Sequence, residues 1–261
     1  MVERIKTGIE GLDKALNGGI PAKNLVLVSG GAGTGKSTLC MQYLINGGKM
    51  FKERGLYIST EQNEGELKKQ AEQYGWNIWE LEEKGLLKII YIDIIKENHF
   101  IEKTREAIKN FKPKRLVIDS MSTLSDYMAV TDYSKQGWSV TSIQNTTIPM
   151  FFSEKLMSKK ILSSLVNELK NFDTTVLLTT ELPEDTKQLS ADGLSEYICD
   201  GVFVLYFLGI GSTEFRTMLI RKMRYTAHDK EYLTYDILKK GIEFKEKQEY
   251  KIWVLWLTVY I

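Results

Sequence analysis

The run Ser29-Gly30-Gly31-Ala32-Gly33-Thr34-Gly35-Lys36-Ser37-Thr38 constrains this chain more than any other. Gly30, Gly35, Lys36 and Ser37 fill the pattern G-x-x-x-x-G-K-[ST]. The run follows an apolar stretch, Asn24–Ser29, and precedes a helical pattern over 37–47. Glycines let successive backbone N–H groups turn inward on phosphate oxygens. A helix starting near Lys36 adds its free N–H groups and the positive end of its dipole. Lys36 then reaches the β- and γ-phosphates, and the Ser37 hydroxyl ligates magnesium. A chain with such a turn between a strand and a helix is expected to build an α/β fold around a phosphate site.

The rest of the sequence keeps that rhythm. Short β-rich runs at Leu56–Thr60, Leu86–Ile92, Leu116–Ile118 and Thr174–Thr179 alternate with helical patterns over 63–74, 99–110 and 154–171. Such alternation predicts βα units and a mainly parallel, twisted sheet flanked by helices. After residue 200 the helices drop out. Gly201–Leu208, Phe215–Met223, Tyr232–Ile237 and Ile242–Phe244 read as successive strands, an antiparallel C-terminal extension of the sheet. Residues 126–152 fit neither rhythm and read as a loop insertion, functional or mobile by its length. No repeat or linker divides the chain, so one domain over 1–250 is expected, with an apolar tail at 251–261.

Open parallel sheets bind ligands at the carboxyl ends of their strands. Three further acidic or polar groups stand at such ends. Asp119 closes Arg115-Leu116-Val117-Ile118, where a carboxylate holds the magnesium shell. A lone strand-Asp-Ser also opens ordinary turns; beside a phosphate loop the metal reading gains weight. Glu61 follows Leu56–Thr60 and is placed to polarise an attacking water, or merely to cap the next helix. Thr180 follows Val176–Leu178. Gly30, Glu61, Asp119 and Thr180 are therefore expected on one edge. A basic cluster, Arg221-Lys222-Met223-Arg224, ends a later strand. It is either solvated surface or a cationic finger for charge on the γ-phosphate, and spacing leaves open whose phosphate it serves.

Composition narrows the partners. The 261 residues carry a net charge of +1, far from the basic balance of a dedicated DNA-binding domain. Glu181–Asp200 holds six acids against a single Lys187, the wrong sign for binding nucleic acid. Cys40 and Cys199 form no metal spacing and read as small buried residues of a reducing cytoplasm. Ile252–Ile261 is too short for a membrane-spanning helix and reads as a buried or interface strand. Trp76 and Trp79 read as packing residues, and the distant His99 and His228 form no metal pair.

Several segments together resemble one family. They are Thr7-Gly8-Ile9, Gly11-Leu12-Asp13, Gly18-Gly19-Ile20-Pro21, the phosphate loop, Tyr57–Gln62, Tyr74-Gly75-Trp76, Leu116–Ser120, Thr179–Glu181, and Lys222–Arg224 with Thr226 and His228. In order and spacing they are similar to the KaiC-domain branch of the RecA-like P-loop ATPases, especially its single-domain archaeal members. The resemblance implies a RecA-like core and an oligomeric ring, commonly hexameric, with ATP and Mg2+ bound between copies. It implies that Thr34, Gly35, Lys36, Ser37 and Thr38, with Gly31, Ala32 and Gly33, hold the phosphates. Glu61 would be the first of an acidic pair acting as base, and Gln73 would lie near the nucleotide. Lys222, Met223, Arg224, Thr226 and His228 would form the strip reaching a neighbour's ATP. Two positions depart from the family pattern: Gln62 replaces the second acid, and Tyr225 replaces the usual glycine of the finger. The expected activity is a slow Mg-dependent ATPase serving as switch or scaffold for an unknown protein partner, with no membrane. The alternatives are a recombinase-like DNA-dependent ATPase and an ATP-binding regulator with little turnover.

Overall fold

The computed structural model describes residues 2–94, 96, 99–122, 163–183, 188–210 and 213–245, with backbone alone for 209, 210, 213 and 214. The expected insertion at 126–152, the first part of the helix expected at 154–171, the acids Glu184 and Asp185 with Lys187, and the tail at 251–261 lie outside these residues.

In chain order the elements are β1 (Arg4–Ile5), α1 (Glu10–Ala15), β2 (Ile20–Pro21), β3 (Leu25–Gly30), α2 (Lys36–Phe51), β4 (Gly55–Ser59), α3 (Glu64–Gln73), α4 (Ile78–Glu83), β5 (Leu87–Tyr91), α5 (Phe100–Phe111) and β6 (Arg115–Asp119). Residues 163–170 follow as the described part of α6. Then come β7 (Thr175–Glu181), α7 (Ser195–Ile198), β8 (Gly201–Ile210), β9 (Thr213–Met223), β10 (Leu233–Leu238) and β11 (Gly241–Phe244).

β1 and β2 pair as a small ribbon; the other strands join one sheet ordered β11-β10-β9-β8-β3-β7-β6-β4-β5. From β8 to β5 every pairing is parallel, and from β8 to β11 every pairing is antiparallel. This is the mainly parallel sheet with an antiparallel extension that the sequence predicts.

The parallel strands read as continuous apolar runs because both faces are covered. Alternate residues feed two separate cores. Val26, Val28, Tyr57, Val117 and Leu177 join Leu12, Leu39, Leu67 and Leu81 from α1, α2, α3 and α4. Leu25, Leu27, Leu56, Leu116, Val176 and Leu178 join Phe100, Ile108, Leu165 and Leu169 from α5 and α6. Each fully buried aliphatic side chain contributes about 1.5–3 kcal/mol relative to exposure. Rigid strands therefore present their carboxyl ends in fixed register.

Short elements escaped the sequence. β1 and β2 are two residues each, and α1 and α4 six each, too short to show a period. Trp76 is buried as expected, but Trp79 is not a packing residue. It stands 57% exposed, with the Lys68 ammonium 4.0 Å over its ring.

Candidate functional site

α2 begins at Lys36 without any side-chain cap, so its first N–H groups are left for another acceptor. Its cap residue Gly35 has φ 92°, and Gly33 has φ 72°, a region side chains avoid. A Cβ on Gly35 would also sit 2.7 Å from Ile237 Cδ1. Lys36 Nζ donates to Gly30 O at 2.9 Å and Gly31 O at 3.0 Å, and Thr34 Oγ1 donates to Gly31 O at 2.8 Å. The lysine thus lies folded over the loop it is expected to serve.

The parallel register sets the neighbours of this loop. Ser59 stands beside Asp119, Ile118 beside Leu178, and Gly30 beside Glu181. Gly30, Glu61, Asp119 and Thr180 therefore meet on the carboxyl edge, as expected. Asp119 is buried, and both carboxylate oxygens are held: Tyr57 Oη donates to Oδ2 and Thr179 Oγ1 to Oδ1. Burial, and then the nearby Asp119 charge, push the Tyr57 phenol well above its ordinary value, with Ser37 acting in the opposite sense. Tyr57 thus lies near both Ser37 and Asp119, the two expected metal ligands. Both are hard oxygen donors, a set that suits magnesium. Tyr57 is not among the expected site residues, whereas Thr179 stands in the Thr179–Glu181 segment that the sequence marks at a strand end. The signal was there, since both are hydroxyls within or at the end of buried strands, where an unpartnered polar group is costly.

Glu61 is exposed and accepts a hydrogen bond from Ser120 Oγ. It does not cap α3. Asn63 does, in a reciprocal box with Glu66. Glu61 thus keeps the position of a group facing the carboxyl edge. Gln73 is the exposed last residue of α3. Its neighbour Tyr74 brings its hydroxyl 3.5 Å from Thr38 Oγ1, so this end of α3 lies against the start of α2.

The basic strip lies elsewhere. β9 runs antiparallel to β8, so Met223 pairs with Gly201, and Gly201 pairs with Val26 near the start of β3. Arg224 N donates to Asp200 O, and Asp200 N to Leu25 O. Leu25 and Gly30 are five residues apart on one strand, ~16 Å at the usual strand rise. The strip therefore sits at the amino edge, opposite the phosphate loop of its own chain. The structure separates these expected site residues rather than gathering them.

At the amino edge the cations are occupied. Lys222 Nζ donates to the carbonyls of Glu196 (3.0 Å), Tyr197 (3.4 Å) and Cys199 (2.6 Å). Burial, with the Arg224 charge nearby, lowers the Lys222 pKa. Arg224 pairs with Asp200 at 2.9 Å, and Asp200 also faces Lys170 and accepts from Leu25 N. Met223 is buried, its sulfur near Gly201 and Asn24. Tyr225 has φ 62°, the left-handed conformation that a glycine takes without strain.

Arg4, missed in the sequence, anchors the strip. Its guanidinium donates to Leu16 O, Gly19 O, Thr226 Oγ1 and Tyr225 O. Gly19 has φ 119°, and a Cβ there would stand 2.4 Å from Ile5 O. The Gly18-Gly19 pair was the only hint that the N-terminal turn is packed so tightly. His228 Nδ1 lies 2.7 Å from Asp229 O, and Asp229 N donates to Ala15 O.

Cys40 and Cys199 are both buried free thiols, as expected. Burial pushes Cys199 up to about 12. Among the described residues no cluster of His, Cys, Asp and Glu could hold a metal by itself, and no helix is long and apolar enough to cross a membrane.

The chain is similar to known proteins along most of its length. A UPF0273 protein of Pyrococcus furiosus is 30% identical over 259 residues, spanning 93% of this chain and 94% of the relative. The circadian clock oscillator protein KaiC of Nostoc sp. is 30% identical over 252 residues, spanning 92% of this chain but 44% of that longer protein. A solved KaiC-like protein of Pyrococcus horikoshii has a TM-score of 0.78 at 28% identity, covering 94% of this chain and 100% of that one. The model of the ATPase family KaiC matches residues 5–137 and 127–249. With its phosphate loop, mainly parallel sheet and these matches, the chain belongs to the KaiC family of RecA-like P-loop ATPases.

Proposed function

We propose that one domain over residues 1–250 binds Mg-ATP at the carboxyl edge of its sheet and hydrolyses it slowly when copies assemble. The observation that carries this reading is the buried Asp119, held by Tyr57 and Thr179 on the carboxyl edge where α2 begins without a side-chain cap. Gly31, Ala32, Gly33, Thr34, Gly35, Lys36, Ser37 and Thr38 surround the phosphates with N–H groups and one ammonium. Ser37 and Asp119 hold Mg2+, which when bound offsets phosphate charge. Glu61 takes a proton from the attacking water. Gln73 lies near the nucleotide.

The strip cannot serve its own loop from the far edge, so Lys222, Met223, Arg224, Thr226 and His228 act on the ATP of a second copy. A head-to-tail contact of this kind closes into a ring when its rotation permits, and a hexamer is the family expectation. The product is a nucleotide-dependent switch or scaffold in the cytoplasm, read by a protein partner. Nucleic acid is disfavoured because Gln188–Asp200 carries Asp192, Glu196 and Asp200 and no basic residue. Gln62 in place of a second acid favours slow turnover, and it sustains the reading of a regulator that binds ATP and scarcely hydrolyses it.

Phosphate release by the assembled wild type, Lys36→Ala and Glu61→Gln tests hydrolysis. The wild type is expected to exceed both variants at least a hundredfold, on the order of a lost catalytic base. Equal rates in all three would remove the ATPase reading. Calorimetry with Mg-ATP then decides whether the regulator reading survives.

A further inference from the structure

We propose that Tyr235 and Arg216, on the antiparallel extension, are positioning residues that aim the N–H groups of the phosphate loop. Tyr235 Oη donates to Thr34 O at 2.5 Å, and Arg216 Nε donates to Gly33 O at 3.2 Å. The two residues are direct cross-strand partners on β10 and β9. In a planar trans peptide the carbonyl and the following N–H point in opposite directions. Holding Gly33 O toward β9 therefore turns Thr34 N–H away from it. Holding Thr34 O toward β10 turns Gly35 N–H the same way. Two consecutive peptides of a loop containing two positive-φ glycines are fixed by side chains more than 180 residues away in sequence.

The clamp is itself built rigidly. Tyr235 is buried against Phe244, its paired residue on β11, with ring centroids 5.5 Å apart. Burial raises its phenol far above the ordinary range, so it stays a protonated donor. Arg216 stacks over the Phe207 ring at 4.8 Å. Ile237, two residues on from Tyr235, meets Gly35. An unclamped glycine-rich loop must order its peptides when phosphate arrives, and that cost weakens binding.

This inference rests on the nucleotide-binding reading, and the experiment separates the two. Mg-ATP affinity is measured by calorimetry on the full chain for the wild type, Tyr235→Phe, Arg216→Met and Ile108→Ala, with thermal melting of each. Tyr235→Phe keeps the buried ring and removes only the donor. It is expected to weaken Mg-ATP binding about tenfold, the scale of one well-made buried hydrogen bond. KM is expected to rise in step, and kcat to move much less. Arg216→Met is expected to weaken binding about threefold, because its contact is longer and more exposed. Ile108→Ala, on α5 in the other core, is expected to lower the melting temperature at least as much as Tyr235→Phe while binding as the wild type does. If Tyr235→Phe binds within twofold of the wild type, or Ile108→Ala weakens binding equally, the clamp is refuted. A wild type without binding heat defeats the nucleotide reading itself, and the clamp with it.

Discussion

The two edges of the sheet treat charge in different ways. At the carboxyl edge, Asp119 is held by neutral hydroxyls from Tyr57 and Thr179. A neutral donor fixes a carboxylate and leaves its charge uncancelled. At the amino edge, Arg224 is paired with Asp200, and Lys222 is wrapped by three carbonyls at the end of α7. At one edge the buried carboxylate keeps its charge for a ligand. The other holds its cations in place until something displaces a partner. On the proposed reading a protomer carries half a site at each end, and two copies placed head to tail would join them.

The largest expected effect tests that pairing. Lys36→Ala protomers lack the loop's ammonium, and Arg224→Ala protomers lack the finger's guanidinium. Each alone should lose turnover at least a hundredfold, the scale reported for removed charge-stabilising groups. Mixed in equal amounts, they should recover about a quarter of wild-type turnover, since an interface needs an intact loop from one copy and an intact finger from the next. Phosphate release after mixing and re-assembly is the measurement. A mixture as dead as its parts means that each chain works within itself, and the contrast between edges loses its meaning.

A second test concerns the amino edge alone. Asp200 is mostly buried, accepts from Leu25 N, and faces Arg224 and Lys170. Asp200→Ala leaves a buried N–H without its partner, at a cost of about 2 kcal/mol. For a chain of this size the melting temperature should fall about 4–8 °C. Differential scanning calorimetry reads the shift. No shift would mean that the strip is not held by its own chain.

The carboxyl edge has its own sensitive point. Tyr57→Phe removes the hydroxyl that donates to Asp119 and keeps the buried ring. The Mg2+ concentration for half-maximal ATP binding should rise about threefold to tenfold, as one hydrogen bond of orientation is lost. ATP binding in EDTA should not change. A parallel fall in both conditions would assign Tyr57 to packing only.

The two edges also differ in how far sequence reveals them. The carboxyl edge was legible because its groups are local. Gly30–Thr38 is contiguous, and Glu61, Asp119 and Thr180 each close a short apolar run. Parallel register then makes alignment automatic. The fold class followed from the same rhythm. The amino edge was illegible because its position depends on pairing. Nothing in Arg221–Arg224 says that β9 turns back along β8 and ends beside Leu25. Arg4, Tyr235 and Arg216 were missed for a related reason. Each acts through backbone carbonyls distant in the chain, and a carbonyl has no signature in sequence. Trp79 failed because its ring stays exposed and meets the Lys68 ammonium instead of the core.

The smallest predicted effect lies where this chain departs from its family. Tyr225 is 73% exposed and sits at φ 62°, so its ring gains little from burial while its Cβ strains the backbone. The left-handed conformation costs a side-chain-bearing residue about 1–2 kcal/mol. Glycine removes that strain but makes the unfolded chain freer, which returns about 0.5–1 kcal/mol. Tyr225→Gly should therefore stabilise by about 0.5 kcal/mol, a rise of about 1–2 °C in melting temperature. If Tyr225→Gly instead lowers turnover of the assembled protein with its stability intact, the exposed ring has a task at the junction between copies. The amino edge would then offer an aromatic contact as well as its cations. A variant with unchanged turnover leaves Lys222 and Arg224 as the working part of that edge, and makes Tyr225 a tolerated strain in the turn that Arg4 holds.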